Sequence, residues 1–505
     1  MGALPVIGLF IVLITLTTYY LHRIFSYWER RGVPSIRPLI PFGNFKELGS
    51  KYFLGSMTQK LYNEMKGKAP FCGIYMYLEP MVLALDVDFI KTILIKDFPY
   101  FHDRGLYFNE KDDPLSAHLF AIEGSKWRNL RSKLSPSFTS GKMKFMYPTI
   151  LKIGNEFEDT LAHLLEGKES FDLEVKDMLA RFTTDVIGEC AFGIECNSLK
   201  DPNAEFRNMG RRVFEKSRNS RITNILMQTF QELSRFLKMR STLEEVERFF
   251  INSVRETVRY REENDVTRND FMDLMIRIKN GKKLNENDSD SAIGLSINEV
   301  AAQAFVFFLA GFETSSTVMT FLLYELALNK DIQLKARKEI KQVLERHGGQ
   351  FSYEAMTDMT YITQILNESL RKYPPVGNLR RITSKDYNVP NTKLIIQKGT
   401  KILIPVHAVQ HDPTYYPNPD EFNPDRFSAE QMNQRDNETF LSFGAGPRNC
   451  IGLRFGLMQA RVGMVKLLSN FEFSICDKTS VPLQIDKKSI ILSPAGGMWL
   501  NIKKV

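Results

Sequence analysis

The chain opens with a long apolar stretch, in which no side chain from Met1 to Leu21 is charged. A helix of this length and character is sufficient to cross a hydrocarbon core about 30 Å thick. Basic side chains follow it at His22, Arg23, Arg30, Arg31 and Arg37. Basic flanks stay cytosolic, so the pattern predicts a membrane anchor with the body on the cytoplasmic side. A cleaved signal peptide is the alternative, but no basic region precedes the stretch and no A-x-A-like site follows it.

The second long apolar stretch is AAQAFVFFLAGFETSSTVMTFLLYELAL, which ends near Asn329. Ser296 and Glu299 have the S-x-x-E spacing of a capping box, which predicts a helix start. Because the stretch is apolar on nearly all faces, we expect a helix buried in the core. Glu313 in its middle disfavours a second membrane span. Gly311 costs about 1 kcal/mol relative to alanine inside a helix, which indicates close approach of something flat and a locally loosened backbone.

Most of the remaining chain has the period of an α-helix, as over Glu244–Glu263 and Asp331–His347. Strand patterns are few, and three of them contain turn residues that predict β-hairpins. These are Gly73–Tyr77 with Met81–Leu85, Lys393–Pro405 and Ile490–Lys503. The polar stretch 280–294 predicts a surface loop. The pattern therefore predicts a mainly α fold with small β-sheets.

Prolines separate the anchor from the first helical segment of the body, at Pro34, Pro38 and Pro41. Proline fixes φ and biases the preceding residue to extended conformations, so a stiff spacer without helix is expected. Aromatic side chains suited to a membrane interface stand near it, at Tyr19, Tyr20, Tyr27 and Trp28. The predicted organisation is an anchor at 1–21, a basic, proline-rich linker at 22–45 and a body at 46–505.

Composition narrows the class of protein. The 43% apolar and 25% charged residues exclude disorder, collagen and a multi-span membrane protein. The net charge of +8 is diffuse and does not indicate nucleic-acid binding. The five cysteines are odd in number and scattered, so neither a zinc site nor a disulfide framework is predicted. Such cysteine usage favours a reducing compartment.

The segment FLSFGAGPRNCIGLRFGLMQARVG, residues 440–463, carries the most specific chemistry. Gly444 and Gly446 predict an irregular loop, and Leu453–Leu468 has helical character. Cys450 therefore lies just before a helix N-terminus, where free N–H groups and the helix dipole favour a thiolate. As a sole protein ligand such a thiolate suits the axial position of haem iron. A buried small hydrophobe and a cysteine nucleophile are the alternatives, but none of the seven histidines stands in a recognisable partner motif.

The sequence resembles the cytochrome P-450 superfamily over residues 30–505. Five motifs in the family's order carry the resemblance: W-x-x-x-R at Trp127–Arg131, A-G-x-E-T-S at Ala310–Ser315, E-x-x-R at Glu368–Arg371, F-x-P-x-R-F at Phe422–Phe427, and the ten-residue haem-thiolate loop F-x-x-G-x-R-x-C-x-G at Phe443–Gly452. The stretches SPSFTSGKMKFM and FGAGPRNCIG are similar to microsomal insect members that oxidise foreign chemicals. The resemblance implies the haem-thiolate fold of that family.

The resemblance also implies haem b as the cofactor, with the Cys450 thiolate as axial ligand of the iron. It places Phe443 beside the sulfur and Ala310 over the haem face. It directs a set of donors toward the haem propionates, namely Trp127, Arg131, Arg104, Arg381 and Arg448. Glu368 and Arg371, with Arg426, are implied to form a buried structural charge network.

Thr314 and Glu313 are implied to deliver protons to iron-bound O₂. The alternative for Thr314 is a hydrogen bond to its own helix at residue 310, and the two roles are compatible. Candidate pocket-lining positions are Val306, Leu309, the aromatic-rich stretch Phe101–Phe120 and Val376–Leu379.

The function implied is a monooxygenase bound to the endoplasmic reticulum membrane. It would insert one oxygen atom from O₂ into lipophilic substrates such as foreign chemicals or insecticides. The resemblance also implies that electrons come from NADPH through a flavoprotein reductase, with cytochrome b5 as a further partner. The chain has no G-x-G-x-x-G motif followed by an acidic ribose ligand, so no built-in flavin or nicotinamide domain is expected. The acid-free stretch 125–155 suggests that Lys126 and Lys133 dock the reductase. A biosynthetic hydroxylase, a haem-thiolate isomerase and a non-turnover haem sensor remain alternatives.

Overall fold

The computed structural model describes residues 3–268, 270–281 and 294–505. The predicted surface loop at 280–294 therefore lies mostly outside the described residues. The described chain is mainly helical with small sheets, as predicted. It divides into two compact units. Unit 1 comprises Met1–Gly105, Val376–Pro417 and Asn437–Asn449, and unit 2 comprises Leu106–Pro375, Asn418–Asp436 and Cys450–Val505.

The α-helices of the described chain are, in order, α1 Ala3–Phe25, α2 Leu54–Met65, α3 Val87–Lys91, α4 Gly124–Leu134, α5 Ser140–Leu164, α6 Val175–Ile187, α7 Glu205–Glu215, α8 Arg221–Thr229, α9 Gln231–Phe236, α10 Glu244–Glu263, α11 Phe271–Lys279, α12 Ile297–Leu328, α13 Lys330–Arg346, α14 Tyr353–Asp358, α15 Thr360–Lys372, α16 Val406–Gln410, α17 Ala429–Gln434 and α18 Leu453–Asn470. The strands are β1 Phe71–Met76, β2 Glu79–Ala84, β3 Ser170–Glu174, β4 Leu379–Ile382, β5 Tyr387–Asn388, β6 Ile395–Ile396, β7 Lys401–Ile404, β8 Phe471–Ser474 and β9 Trp499–Lys504.

Unit 1 is built on a four-stranded sheet of order β1-β2-β7-β4. Strands β1 and β2 form the predicted antiparallel hairpin. The hairpin predicted within Lys393–Pro405 is wrong, because β6 pairs with β5, whereas β7 pairs with β2 and β4. Alternating side chains identify a strand but do not select its partner, and here the partners come from distant parts of the chain.

The segment predicted as a spacer belongs to the core of unit 1. Trp28, Val33 and Phe45 are at most 5% exposed and lie in its hydrophobic cluster. The indole Nε1 of Trp28 donates to the carbonyl of Ile74 at 3.1 Å. The indole covers Gly73, where a Cβ would lie 2.3 Å from the ring. These residues of the predicted linker are therefore part of a hydrophobic core, because an extended segment can bury alternate side chains, and the interfacial placement of Trp28 is wrong.

Unit 2 is organised around α12, which spans 32 residues and starts at the predicted capping box of Ser296 and Glu299. Helices α6, α10, α15 and α18 pack against it. Two helices of the described chain, α1 and α12, are long and apolar enough to cross a membrane. Because α12 is mostly buried within its unit and α1 is exposed, α12 is a core helix and α1 is the anchor candidate.

The helices predicted at Glu244–Glu263 and Asp331–His347 are confirmed as α10 and α13. Unit 2 also contains a small sheet of order β3-β9-β8. The hairpin predicted at Ile490–Lys503 is wrong, because β9 pairs antiparallel with β3 and β8 instead. The stretch before β9 forms only an isolated bridge between Ile485 and Pro494.

Candidate active site

Cys450 lies three residues before α18 and its side chain is exposed. By contrast, Cys72, Cys190 and Cys196 are buried. Burial raises the pKa of the Cys72 thiol to about 12 and also raises the pKa of the two others. These three thiols are therefore protonated and unreactive, whereas Cys450 stands where a helix N-terminus favours the thiolate that binds a metal.

Within unit 2, α4 presents Trp127 and Arg131 on one face, four residues apart. Trp127 is buried. Burial lowers the pKa of Arg131, and the charge of Cys450 acts on it in the opposite direction. The guanidinium and the cysteine are thus close enough to interact, which places a cation near the candidate ligand.

In unit 1, the loop before Cys450 depends on its glycines. Gly444 and Gly446 have φ of 68° and 69°, in the left-handed region. A Cβ on Gly446 would lie 1.8 Å from the carbonyl oxygen of Leu94, so no other residue fits there. The loop positions Phe443, which is half-buried in a turn, and Arg448, which is buried. The backbone therefore favours glycine at both positions, and close packing additionally requires it at Gly446.

Three guanidinium groups of unit 1 lie close together. Arg448 Nη2 donates to Asp103 Oδ1 at 3.1 Å, and Arg104 Nη2 donates to the carbonyl of Arg448 at 3.3 Å. Arg381, on β4, is 2% exposed. Burial, and to a lesser extent the charge of Arg448, lowers the pKa of Arg381 to about 10.

The cationic cluster of Arg104, Arg381 and Arg448 has the chemistry of a carboxylate site. Among the described residues Arg381 has no acidic partner, and its buried Nε makes no hydrogen bond. Buried charges are usually paired, because transfer of an unpaired charge out of water is costly. A cofactor that carries carboxylates, as haem does in its propionates, fits these residues.

In α12, Thr314 Oγ1 donates to the carbonyl of Ala310 at 2.6 Å, which is the alternative that the sequence left open. The helix is continuous, so the predicted loosening at Gly311 is wrong. The close neighbour of Gly311 is Ile187 of α6, whose Cδ1 would lie 2.8 Å from an added Cβ. Close packing of α6 against α12 therefore accounts for a glycine at this position.

Glu313 is paired with a residue that sequence analysis missed. Its Oε1 accepts a hydrogen bond from Lys176 Nζ at 2.8 Å. Lys176 Nζ also donates to the hydroxyls of Ser316 and Thr317, each at 2.9 Å. Burial lowers the pKa of Lys176. No local motif marks Lys176, because the sequence separation of the pair is 137 residues.

The predicted charge network in unit 2 is present. Arg371 Nε and Nη2 donate to the two carboxylate oxygens of Glu368 at 2.7 and 2.8 Å, and both side chains are 0% exposed. Arg426 Nε lies 3.4 Å from Glu368 Oε1. The backbone N–H of Asn423 donates to the same oxygen at 3.0 Å. The carboxylate is therefore surrounded by donors, as a buried charge requires.

Unit 2 contains a cavity of about 320 Å³. Of the predicted pocket residues, Leu309 and several members of the stretch Phe101–Phe120 line it, among them Leu115 and Phe120, whereas Val306 and Val376–Leu379 do not. Outside those predicted residues the lining includes the apolar Val246 and Phe305 and the polar Gln228, Ser241 and Thr242. A mainly apolar cavity with few polar groups suits a lipophilic small molecule.

Lys126 is exposed, but its ammonium group is not an isolated charge. Nζ lies 2.7 Å from Glu110 Oε2 and 3.0 Å from Glu299 Oε1. Two carboxylates of this unit therefore offset the charge that Lys126 would offer to an acidic partner. Lys133 of the same helix forms no ion pair within the described residues.

Fold and motifs together define a helical oxidoreductase of the haem-thiolate type, and relatives identify the family. The family model Cytochrome P450 matches residues 33–501. The chain is 47% identical to Probable cytochrome P450 6a20 of Drosophila melanogaster over 502 residues, which cover 99% of each chain. It is also 47% identical to Cytochrome P450 6A1 of Musca domestica over 498 residues, covering 98% of this chain and 97% of the relative. The chain belongs to the cytochrome P450 family of haem-thiolate monooxygenases and is similar to insect members.

Proposed function

We propose that the protein is a membrane-bound monooxygenase that inserts one oxygen atom of O₂ into lipophilic foreign chemicals. The observation that carries this proposal is the exposed Cys450 just before α18, in a chain whose buried cysteines are held as thiols. The Cys450 thiolate would bind the iron of haem b, and the bound haem would supply the activation of dioxygen. Phe443 would shield the sulfur from water.

The cationic cluster of unit 1 would bind haem propionates. In unit 2, the resemblance assigns propionate binding to Trp127 and Arg131. Arg381 supports this role most directly, since it is a buried guanidinium with no acidic partner among the described residues. Carboxylate–guanidinium pairs are strong because two parallel hydrogen bonds form between planar groups. Ala310, the exposed residue one turn before Thr314, would leave room for the cofactor because its side chain is small.

Thr314 and Glu313 would hold the protons that the reaction consumes. The Thr314 hydroxyl donates to the carbonyl of Ala310 in its own helix. To deliver a proton, it would exchange that hydrogen bond for one to dioxygen. Glu313 is ion-paired with Lys176 and would resupply the proton through that pair and water. These donors count against a haem-thiolate isomerase and a non-turnover sensor, neither of which consumes protons in this way.

Electrons would come from NADPH through a flavoprotein reductase, with cytochrome b5 as a further donor. Lys133 supports a docking surface for an acidic partner, whereas Lys126 is neutralised by its ion pairs. Electrostatic attraction of this kind acts mainly on the association rate.

Two separate features support attachment to the endoplasmic reticulum membrane. Helix α1 is exposed over residues 5–20 and carries no charged side chain before His22. In unit 2, α8 and α9 expose large apolar side chains at Ile222, Leu226, Phe230, Leu233 and Phe236, of which Ile222 is 71% and Phe236 82% exposed. Exposed apolar patches of this kind mark interaction surfaces, and a lipid surface fits them.

The test is reconstitution of the full-length protein with NADPH–haemoprotein reductase in lipid vesicles. Lipophilic compounds that shift the spin state of the haem should be converted to oxygenated products, with one O₂ and one NADPH consumed per product. Hydroxylation confined to one endogenous hormone or lipid, with foreign chemicals unchanged, would favour the biosynthetic alternative. Ligand binding without NADPH consumption would contradict the monooxygenase proposal.

A further inference from the structure

Gln459 of α18 is a buried amide that contacts the segment of α12 carrying Thr314. Its side chain is 0% exposed. Nε2 donates to the carbonyl of Gly311 at 2.9 Å and also to Ser315 Oγ. Gln459 follows Cys450 by nine residues. The helix that begins beside the candidate ligand therefore also holds the segment that carries the candidate proton donors.

A small residue on α18 allows this contact. A Cβ on Gly463 would lie 3.0 Å from Met319 Sδ of α12 and 2.8 Å from Phe182 Cε1 of α6, whereas one on Gly456 would lie at an ordinary contact distance of 3.8 Å from Ser315 Oγ. Gln459 and Gly463 are four residues apart on α18, as Ser315 and Met319 are on α12, so each pair shares one helix face. Helices α18 and α12 therefore stay in close contact over more than one turn. Gln459 is the polar residue that α18 contributes to this contact.

Stability does not explain an amide at this position. Gln459 Oε1 is buried without a hydrogen-bond partner among the described residues. A buried acceptor left unsatisfied lowers stability, and an apolar side chain of similar volume would avoid that cost. Both contacts that Gln459 does make use its N–H donors, which points to the donors as the reason for an amide here.

We propose that Gln459 is a positioning residue that fixes the turn of α12 from Gly311 to Ser315. Serine inside a helix competes for the carbonyl four residues earlier, and here Gln459 engages both that carbonyl and the serine hydroxyl. Thr314 lies within this turn, so its hydroxyl orientation depends on a backbone held from α18. This inference rests on the proposed function, because it concerns delivery of protons by Thr314.

The test compares Gln459→Met, which keeps the volume and removes the donors, with Gln459→Glu, which keeps the shape and replaces the amide donors by carboxylate oxygens. Met464→Leu, at a position of α18 that is also 0% exposed, is the packing control. In both Gln459 variants we expect product formed per NADPH to fall by at least about fivefold, since about fivefold corresponds to the loss of one neutral hydrogen bond and Gln459 donates two. Peroxide should rise correspondingly, and Met464→Leu should match the parent.

The CO-bound spectrum separates positioning from damage to the haem site. Gln459→Met should retain the thiolate-type Soret band and melt no lower than the parent. A variant with parental coupling, or one whose thiolate band is lost, would overturn the inference.

In a Thr314→Ala background Gln459→Met should add little uncoupling, and full additivity would also overturn it. Failure of the parent to consume NADPH with reductase would instead contradict the proposed function.

Discussion

At the scale of single residues, Thr314 makes a hydrogen bond that must be reconciled with its proposed role in proton delivery. The sequence left two roles open, and the structure contains the hydrogen bond to Ala310. A hydroxyl has one proton to donate, so a role in proton delivery requires that this bond be broken during turnover. In the structure the Thr314 hydroxyl therefore points at its own helix, and proton delivery would require it to change its hydrogen-bond partner.

We predict that Thr314→Ala uncouples turnover. NADPH should still be consumed, but a larger share of it should end as peroxide, because a donor positioned in the site contributes about 10²–10⁴-fold to proton transfer. Thr314→Ser retains the hydroxyl and is the matched control. The measurement is product and peroxide per NADPH for several substrates, and equal ratios in Thr314→Ala and the parent would reduce Thr314 to a packing residue.

Local spacing predicted the residues that act together over short separations. The pair Glu368 and Arg371 and the pair Trp127 and Arg131 each share one helix face, so spacing alone places their side chains together. Lys176 and Gln459 escaped prediction because α6 and α18 meet α12 only in the folded chain. A lysine in a helix is ordinarily a solvated residue, and nothing in the sequence near Lys176 indicates that it is buried.

At the scale of elements, the charge network joins Glu368 and Arg371 of α15 to Arg426, which lies in the segment after residue 418. Arg371→Met would leave the Glu368 carboxylate with a buried charge and only its weaker partners. Breaking a buried ion pair in this way costs about 3–5 kcal/mol of unfolding free energy. Because one partner is removed and the other remains, the cost exceeds the net contribution of the intact pair.

The measurement is denaturant unfolding of Arg371→Met beside Arg346→Met, an exposed arginine at the end of α13. The surface variant should stay within about 0.5 kcal/mol of the parent. Comparable, small losses in both variants would show that the network does not stabilise the fold.

Helices were predicted more accurately than sheets, for a physical reason. Helix α12 is defined by its own apolar pattern and its own capping box, both of which are local. Strands β7 and β9 each pair with two strands from elsewhere in the chain. Side-chain alternation gave their approximate positions, and pairing depended on packing that no local pattern contains.

At the scale of the whole molecule, the distribution of basic side chains bears on where the proposed reductase docks. We predict that Lys133→Glu slows reduction by the reductase and weakens its salt dependence, because it reverses a charge that is not already paired within the described residues. Screening over about 8 Å at physiological ionic strength makes low salt the sensitive condition.

Lys200→Glu is the matched control, since it changes the net charge equally at an exposed position outside the basic stretch. Substrate-induced spectral shifts should be the same in both variants. Equal reduction rates for Lys133→Glu and Lys200→Glu at low salt would eliminate Lys133 from the docking surface.

The central claim is that Cys450 is the ligand of the haem iron, and the reduced, CO-bound spectrum of Cys450→Ser tests it most directly. Serine keeps the shape of the side chain but replaces the soft thiolate by a hydroxyl. The parent and the control Cys476→Ser should both show the red-shifted Soret band of thiolate-ligated haem, and Cys450→Ser should lack it. Survival of that band in Cys450→Ser would show that another residue binds the iron.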